Sequence, residues 1–393
     1  MKIALKHYFP SGLLPVYFAT LLQNKPAGCI IVPEILYLMT SSKPTVKAKP
    51  VTIITGFLGA GKTSFLNEYI AFQKDWRPVI IENEFGEQGI DAGLILSSGT
   101  DIFELNSGCI CCSLNDDFYD LLNLLERKRD EFDELVIETT GIADPATVAQ
   151  PLLVSPRIER SYRLERVICI VDARMIEFEL KDTEEARRQI AFSDILLISK
   201  CDAVRPGYVD ELKILLQNIN PFAAIFSGDS ASGYPLDEIS ALTRADFNNR
   251  PPAKPGFSLS LGGSSKKTRR LLTGNHEHRH HDITSLSFVF DRPFDLLLFE
   301  RKLFVFLNFQ AKDIYRVKGI LWVTDADYKV IIQSVVNLMG VSAGKDWGPD
   351  ERKESRIVII GKNLKAEGFE KMLKECLDSS FQQSGISHQP ADS

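Results

Sequence analysis

The chain has 393 residues, a formal net charge of −6, 44% hydrophobic and 25% charged residues. That length leaves room for two or three domains with a large core, and the acidic balance argues against a primary nucleic-acid binder, which would present a basic face. The seven cysteines are odd in number, and Cys29, Cys169, Cys201 and Cys376 are scattered; this argues against a disulfide scaffold and for a reducing compartment.

Residues 1–48 carry lysines but no arginine and one acid, Glu34. Their apolar stretch from Ala27 to Met39 is interrupted by Pro33 and Glu34 and is too short to span a membrane. No small-residue cleavage site follows a clean apolar core. The segment reads as a disordered leader, or as a start placed too early, since Met39 opens MTSSKPTVKAKP directly before the first strand. A cytoplasmic protein with no membrane partner is expected.

Val51–Thr55 is a short β-branched run, followed by a glycine-rich turn and a helical pattern through Phe65, Leu66 and Tyr69. Apolar runs recur at Pro78–Ile81, Ile102–Leu105, Glu134–Ile137, Val167–Val171, Ile195–Ile198 and Ala223–Phe226. Helical patterns lie between most of them; one, through Phe118, Leu121, Leu122, Leu125 and Phe132, follows the cap candidates Asn115 and Asp116. Alternating strands and helices predict an α/β fold: a P-loop NTPase domain with a mostly parallel sheet over 49–228. Residues 229–284, rich in Ser, Gly, Pro, Lys and Arg, read as a flexible linker. Strands at Leu286–Phe290, Ile314–Val323, Val330–Val336 and Arg356–Ile360, with helices at Phe294–Leu307 and Leu364–Leu377, predict a smaller α+β domain over 285–380. Residues 381–393 read as a disordered tail.

The turn after the first strand, Gly56-Phe-Leu-Gly59-Ala60-Gly61-Lys62-Thr63-Ser64, fits G-x-x-x-x-G-K-[ST]. Glycines let backbone amides wrap phosphate oxygens, Lys62 reaches the β and γ phosphates, and Thr63 ligates Mg²⁺. Ser199-Lys200-Cys201-Asp202 follows the apolar run ILLIS. An aspartate there accepts from guanine N1–H and the exocyclic amine, donors adenine does not offer as a pair, while Lys200 lays its stem over the base. Glu138, ending ELVIE, is placed to hold Mg²⁺, and Gly141 to sense the γ-phosphate. Lys62, Thr63 and Glu138 are the catalytic expectations. The acidic stretch ENEFGEQGID reads as a metal-ordered switch, with Glu84 as its first contact.

Three thiols, Cys109, Cys111 and Cys112, crowd the stretch NSGCICCSLN. A Cys111–Cys112 disulfide would be a strained ring; Cys109–Cys112 has redox spacing without thioredoxin-like flanks; haem attachment wants a histidine where Ser113 stands. A metal site suits best, because three thiolates before a predicted helix N-terminus bind Zn²⁺ and leave one position open. His276, His278, His280 and His281, four of the six histidines, read as auxiliary metal ligands.

GFLGAGKTS, ENEFGEQGID, NSGCICCSL, ETTGIADP and SKCD occur in the order found in CobW-type GTPases, and the chain resembles the metal-centre GTPases that include UreG and HypB. IYRVKGILWV and RIVIIGKNL resemble the CobW C-terminal domain. The resemblance covers about residues 49–380 and implies GTP hydrolysis coupled to transfer of a transition metal. The cargo is most simply Zn²⁺, with Co²⁺ or Fe²⁺ insertion as alternatives. It also implies C-x-C-C as the metal signature and a client metalloprotein, with a homodimer among the expected partners. The leader has no counterpart in the family pattern, Ser199 stands where Asn is usual, and the second base-contacting loop is assigned to Phe226-Ser227-Gly228. A metal buffer with a vestigial GTPase and an ATP-dependent P-loop enzyme are the other readings.

Overall fold

A computed structural model describes residues 47–73, 76–82, 101–104, 110–229, 231–249, 258–261, 283–309, 312–324, 326–335 and 337–380. The leader through residue 46, the tail from 381 and the histidine cluster lie outside them. The first unit runs β1 (Lys49–Gly56), α1 (Lys62–Phe72), β2 (Pro78–Glu82), β3 (Asp101–Glu104), α2 (Ile110–Arg127) and β4 (Glu134–Glu138). It continues with α3 (Pro145–Val154), α4 (Pro156–Ser161), β5 (Tyr162–Asp172), α5 (Ile176–Asp182), α6 (Glu184–Phe192), β6 (Ile195–Ser199), α7 (Tyr208–Ile219) and β7 (Ala224–Ser227). The strands form one sheet in the order β3-β2-β4-β1-β5-β6-β7, and every pairing is parallel.

Strands buried on both faces are apolar throughout, and their side chains alternate between the two faces. Val51, Ile53, Leu135 and Ile137 enter one core with Phe118 and Leu122 of α2. Ile54, Val136, Ile168 and Ile170 enter the opposite core with Phe65, Leu66 and Tyr69 of α1. Each of the seven expected strands forms, although β5 starts five residues earlier than its expected Val167.

Two expectations are corrected. Helix α2 begins at Ile110, so Asn115 and Asp116 lie inside it; these residues favour caps but cost little in a helix interior. The flexible linker does not begin at 229. Helices α8 (Leu236–Ala241) and α9 (Arg244–Asn249) follow β7, and Leu236, Ile239 and Phe247 are buried in the α1 core. Arg166 pins α8 by donating to the Ile239 and Ser240 carbonyls at 3.0 and 3.3 Å. Six-residue helices carry too little periodicity to stand out against a polar composition.

The second unit comprises β8 (Ser258–Leu261), β9 (Ile283–Phe290), α10 (Leu296–Phe309), β10 (Ile314–Leu321), β11 (Tyr328–Val335), β12 (Leu338–Asp346), β13 (Ser355–Lys362) and α11 (Ala366–Lys374). Its sheet has the order β12-β11-β10-β13-β9-β8, antiparallel except for the β8–β9 pair. Ile357 and Ile359 pack on Phe299, Leu303 and Phe369 of α10 and α11. Val358 and Ile360 face the other way, onto Leu180, Ile190, Leu212 and Leu216 of the first unit. The two units therefore share a core.

Charges cross that interface. Asp194, just before β6, receives Arg316 at 3.1 Å and Lys318 at 3.6 Å, and all three are buried. Burial pushes the Asp194 carboxyl up, but Lys318, Arg316 and Arg244 outweigh it and hold it below its usual range. Burial drives Lys318 down from 10.5 to about 7, against the pull of Asp194. Lys362 meets Glu184 at 2.6 Å, and Arg188 joins Glu184 at 2.8 Å to Asp144 at 3.2 Å. No helix among the described residues is long and apolar enough to cross a membrane.

Candidate functional site

Because the first sheet is parallel, the carboxyl ends of its strands share one edge, where an α/β sheet places its ligand crevice. There the chain turns from β1 into α1. Gly56 (φ 143°) approaches β5 so closely that a Cβ would meet the Ile170 carbonyl oxygen at 2.3 Å. Gly61 (φ 101°) caps α1 in the left-handed region with no side-chain cap bond, leaving first-turn amides to an anion. Lys62 Nζ donates to the Gly56 and Phe57 carbonyls at 3.1 and 3.4 Å, so it lies across the loop it would leave to meet a phosphate. Ser64 is exposed in the first turn of α1.

Thr63 Oγ1 donates to Glu138 Oε1 at 3.0 Å. A hydroxyl and a buried carboxylate converging beside a phosphate loop are the oxygen donors that a hard cation takes, so these residues fit Mg²⁺. The ETTG turn packs on the phosphate loop: a Cβ at Gly141 would meet Leu58 N at 2.6 Å. Gln189 of α6 fixes the turn from below by donating to the Gly141 and Ala143 carbonyls, both at 3.1 Å.

Glu82 was not among the expected site residues. It ends β2 in register with Glu138 and is 7% exposed. The signal that picks Glu138, an acid closing an apolar strand, is present equally in PVIIE. Glu84, the residue expected in its place, lies outside the described residues. So does Cys109. Cys111 and Cys112 fall in the first turn of α2, not before the helix as expected. That helix follows β3, whose last residue Glu104 lies in register with Glu82, so the cysteine stretch leaves the sheet at the same edge as the phosphate loop. His276, His278, His280 and His281 lie outside the described residues.

At the other end of the crevice, SKCD is tied to the phosphate loop. Ser199 Oγ donates to the Ala60 carbonyl at 2.7 Å and lies 3.2 Å from the Val171 carbonyl, so a residue shorter than Asn reaches the loop. Lys200 Nζ donates to the Gly59 carbonyl and to Asp172 Oδ2 at 2.7 Å. Asp172, a residue the sequence motifs did not mark, is 3% exposed at the end of β5. Burial pushes its carboxyl up, but Arg174 and Lys200 more than offset this and bring it down to about 2. Glu179 nearby moves the other way, up to about 7, through burial and the charge of Asp172. Asp202 is exposed in the 3-10 turn Cys201–Ala203. Phe226-Ser227-Gly228 lies beside it, with Gly228 N donating to the Ile198 carbonyl at 3.0 Å.

Residues 50–227 match the model of the CobW/HypB/UreG nucleotide-binding domain, and residues 283–377 that of the cobalamin synthesis protein CobW C-terminal domain. The zinc chaperone YjiA of Escherichia coli is 33% identical over 324 residues, spanning 81% of this chain and 95% of that protein. The zinc-regulated GTPase metalloprotein activator 1 of Schizosaccharomyces pombe is 27% identical over 358 residues, 84% of this chain and 86% of its own. The crystal structure of Zn(II)-bound YjiA GTPase superposes with a TM-score of 0.59 at 26% identity, covering 85% of this chain and all of that one.

Proposed function

Because the chain belongs to the CobW/HypB/UreG family, we propose that it is a GTP-hydrolysing zinc chaperone that hands its metal to a client metalloprotein. The observation that carries the nucleotide half is the pair of hydrogen bonds from SKCD to the phosphate loop, Ser199 to the Ala60 carbonyl and Lys200 to the Gly59 carbonyl. It supports reading Asp202 as the guanine-selecting residue at one end of a site whose other end is Lys62 and Thr63.

GTP lies with its phosphates in the Gly56–Ser64 loop and its base over Lys200, against Asp202 and the Phe226–Gly228 turn. Lys62 exchanges its carbonyl partners for the β and γ phosphates, and Gly141 donates its amide to the γ-phosphate. Thr63 and Glu138 would hold Mg²⁺, which would neutralise charge developing on the phosphates. Rigid donors already aimed at that charge supply most of the acceleration in such sites.

Zinc is the cargo. Cys109, Cys111 and Cys112 hold it, with Glu82 at the adjoining strand end, and the His276–His281 stretch collects it. The relatives named zinc chaperones support zinc over cobalt or iron. Loss of the γ-phosphate loosens the ETTG turn and the acidic switch and lowers zinc affinity.

Linkage makes this testable, because GTP can tighten zinc binding only as much as zinc tightens GTP binding. Anaerobic zinc titration with and without a non-hydrolysable GTP analogue, and titration of that analogue with and without zinc, should give the same coupling factor. Replacing Cys109, Cys111 and Cys112 with Ser should abolish tight zinc binding and the coupling together. Zinc affinity unmoved by nucleotide, or by the three substitutions, would refute the proposal.

A further inference from the structure

Lys200 is held at φ 55° and ψ 38°, in a left-handed conformation that a residue with a Cβ keeps only where its surroundings impose it. It is also the residue from which the 3-10 turn Cys201–Ala203 starts, so its backbone sets the direction in which Asp202 points. The side chain supplies the anchor. Its ammonium sits between the Gly59 carbonyl and Asp172 Oδ2 at 2.7 Å.

Asp172 is itself immobilised. It lies opposite Ser199 in the β5–β6 register. Its Oδ1 accepts from the Arg174 amide at 2.9 Å and from Nε at 3.1 Å, and its Oδ2 accepts from Nη2 at 2.9 Å. Arg174 fills the remaining acceptor sites, so Lys200 meets a carboxylate that cannot turn away. The Asp172 side chain is 4% exposed and that of Lys200 31% exposed, which places the fixed group inside and the adjustable one toward the nucleotide.

We infer that Asp172 is a positioning residue for base selection: through Lys200 it locks the left-handed turn and thereby aims the Asp202 carboxylate at the guanine edge. The inference rests on the reading of the site as one for GTP. It also makes base selection and phosphate binding parts of one clamp, because the same ammonium braces Gly59.

Equilibrium binding of GTP, ITP and ATP tests it, since ITP lacks the exocyclic amine that Asp202 accepts from. The full-length protein should favour GTP over ITP by roughly tenfold or more, as one charged hydrogen bond would give. Asp172→Asn should bring that ratio close to one, raising KM for GTP toward that for ITP while kcat changes little. Lys200→Met should also bring the GTP-to-ITP ratio close to one, on top of a weakening common to all three nucleotides from its lost contact with Gly59, and the double variant should lower the ratio no further than either single one. If Asp172→Asn fails to fold, Arg174→Met, which frees the Asp172 carboxylate from its side-chain bonds to Arg174, decides the matter by the same fall in the ratio. A native protein that discriminates, with variants that keep the ratio or weaken GTP and ITP by equal factors, would overturn the inference. A native protein that prefers neither GTP over ITP nor GTP over ATP would instead overturn the nucleotide reading beneath it.

Discussion

The two sheets put their polar residues to opposite uses. In the parallel sheet every strand runs the same way, so Glu82, Glu138, Asp172 and Ser199 close their strands along one edge, next to the phosphate loop. In the second sheet neighbouring strands mostly run oppositely, and no edge gathers such ends. Its buried charges, Arg316 and Lys318, sit within β10 and point out of the sheet face into the first unit. One arrangement gathers buried acids and a hydroxyl at the edge proposed for the nucleotide. The other spends its charges on fixing how two layers meet, which is the use for which buried polar contacts have the best physical justification.

The largest expected effect separates the two. Asp194→Ala leaves Arg316 and Lys318 buried without their acid, and should destabilise the protein by roughly 3–5 kcal/mol in urea unfolding, with GTP affinity of the folded fraction unchanged. A loss of GTP affinity at full folding would break the contrast. Lys62→Ala should do the reverse, lowering kcat by roughly 10²–10³-fold with little change in the unfolding midpoint.

The smallest effect is a pH dependence. The folded state holds the Lys318 proton more weakly than the unfolded chain, with about 7 against an ordinary 10.5. Between those values the unfolded chain binds more protons, so stability rises with pH, by on the order of 1 kcal/mol per unit. Below pH 7 this contribution is flat. Lys318→Met should remove the rise, seen as unfolding midpoints that no longer separate at pH 7 and pH 9.

Much of the first unit was legible because doubly buried strands must be continuous apolar runs and because the phosphate loop has few chemical alternatives. What escaped did so for local reasons. Strand β12, LMGVSAGKD, has weak strand propensity and lies at a sheet edge, where β11 is its one partner strand and contacts with α3, α9 and α10 help to hold it. Helices α8 and α9 are single turns and a half whose burial comes from Phe65 and Tyr69 far back in the chain. Asp172 is unremarkable in VICIVDAR until Lys200 arrives 28 residues later. Nothing in IYRVKGIL marks Arg316 and Lys318 as buried, since Asp194 stands 122 residues from Arg316. Sequence motifs mark residues that meet a ligand; they are silent about residues that meet each other.

The shared core has a consequence for how such a protein can change over generations. A gene fragment ending at residue 249 would keep α8 and α9 on the α1 core and yet bare Ile190, Leu212 and Leu216, which Val358 and Ile360 now cover. Exchanging the C-terminal half for an unrelated module would do the same. Change is therefore easier on the outer helices of the second half than on its inner face, which completes the core of the first unit.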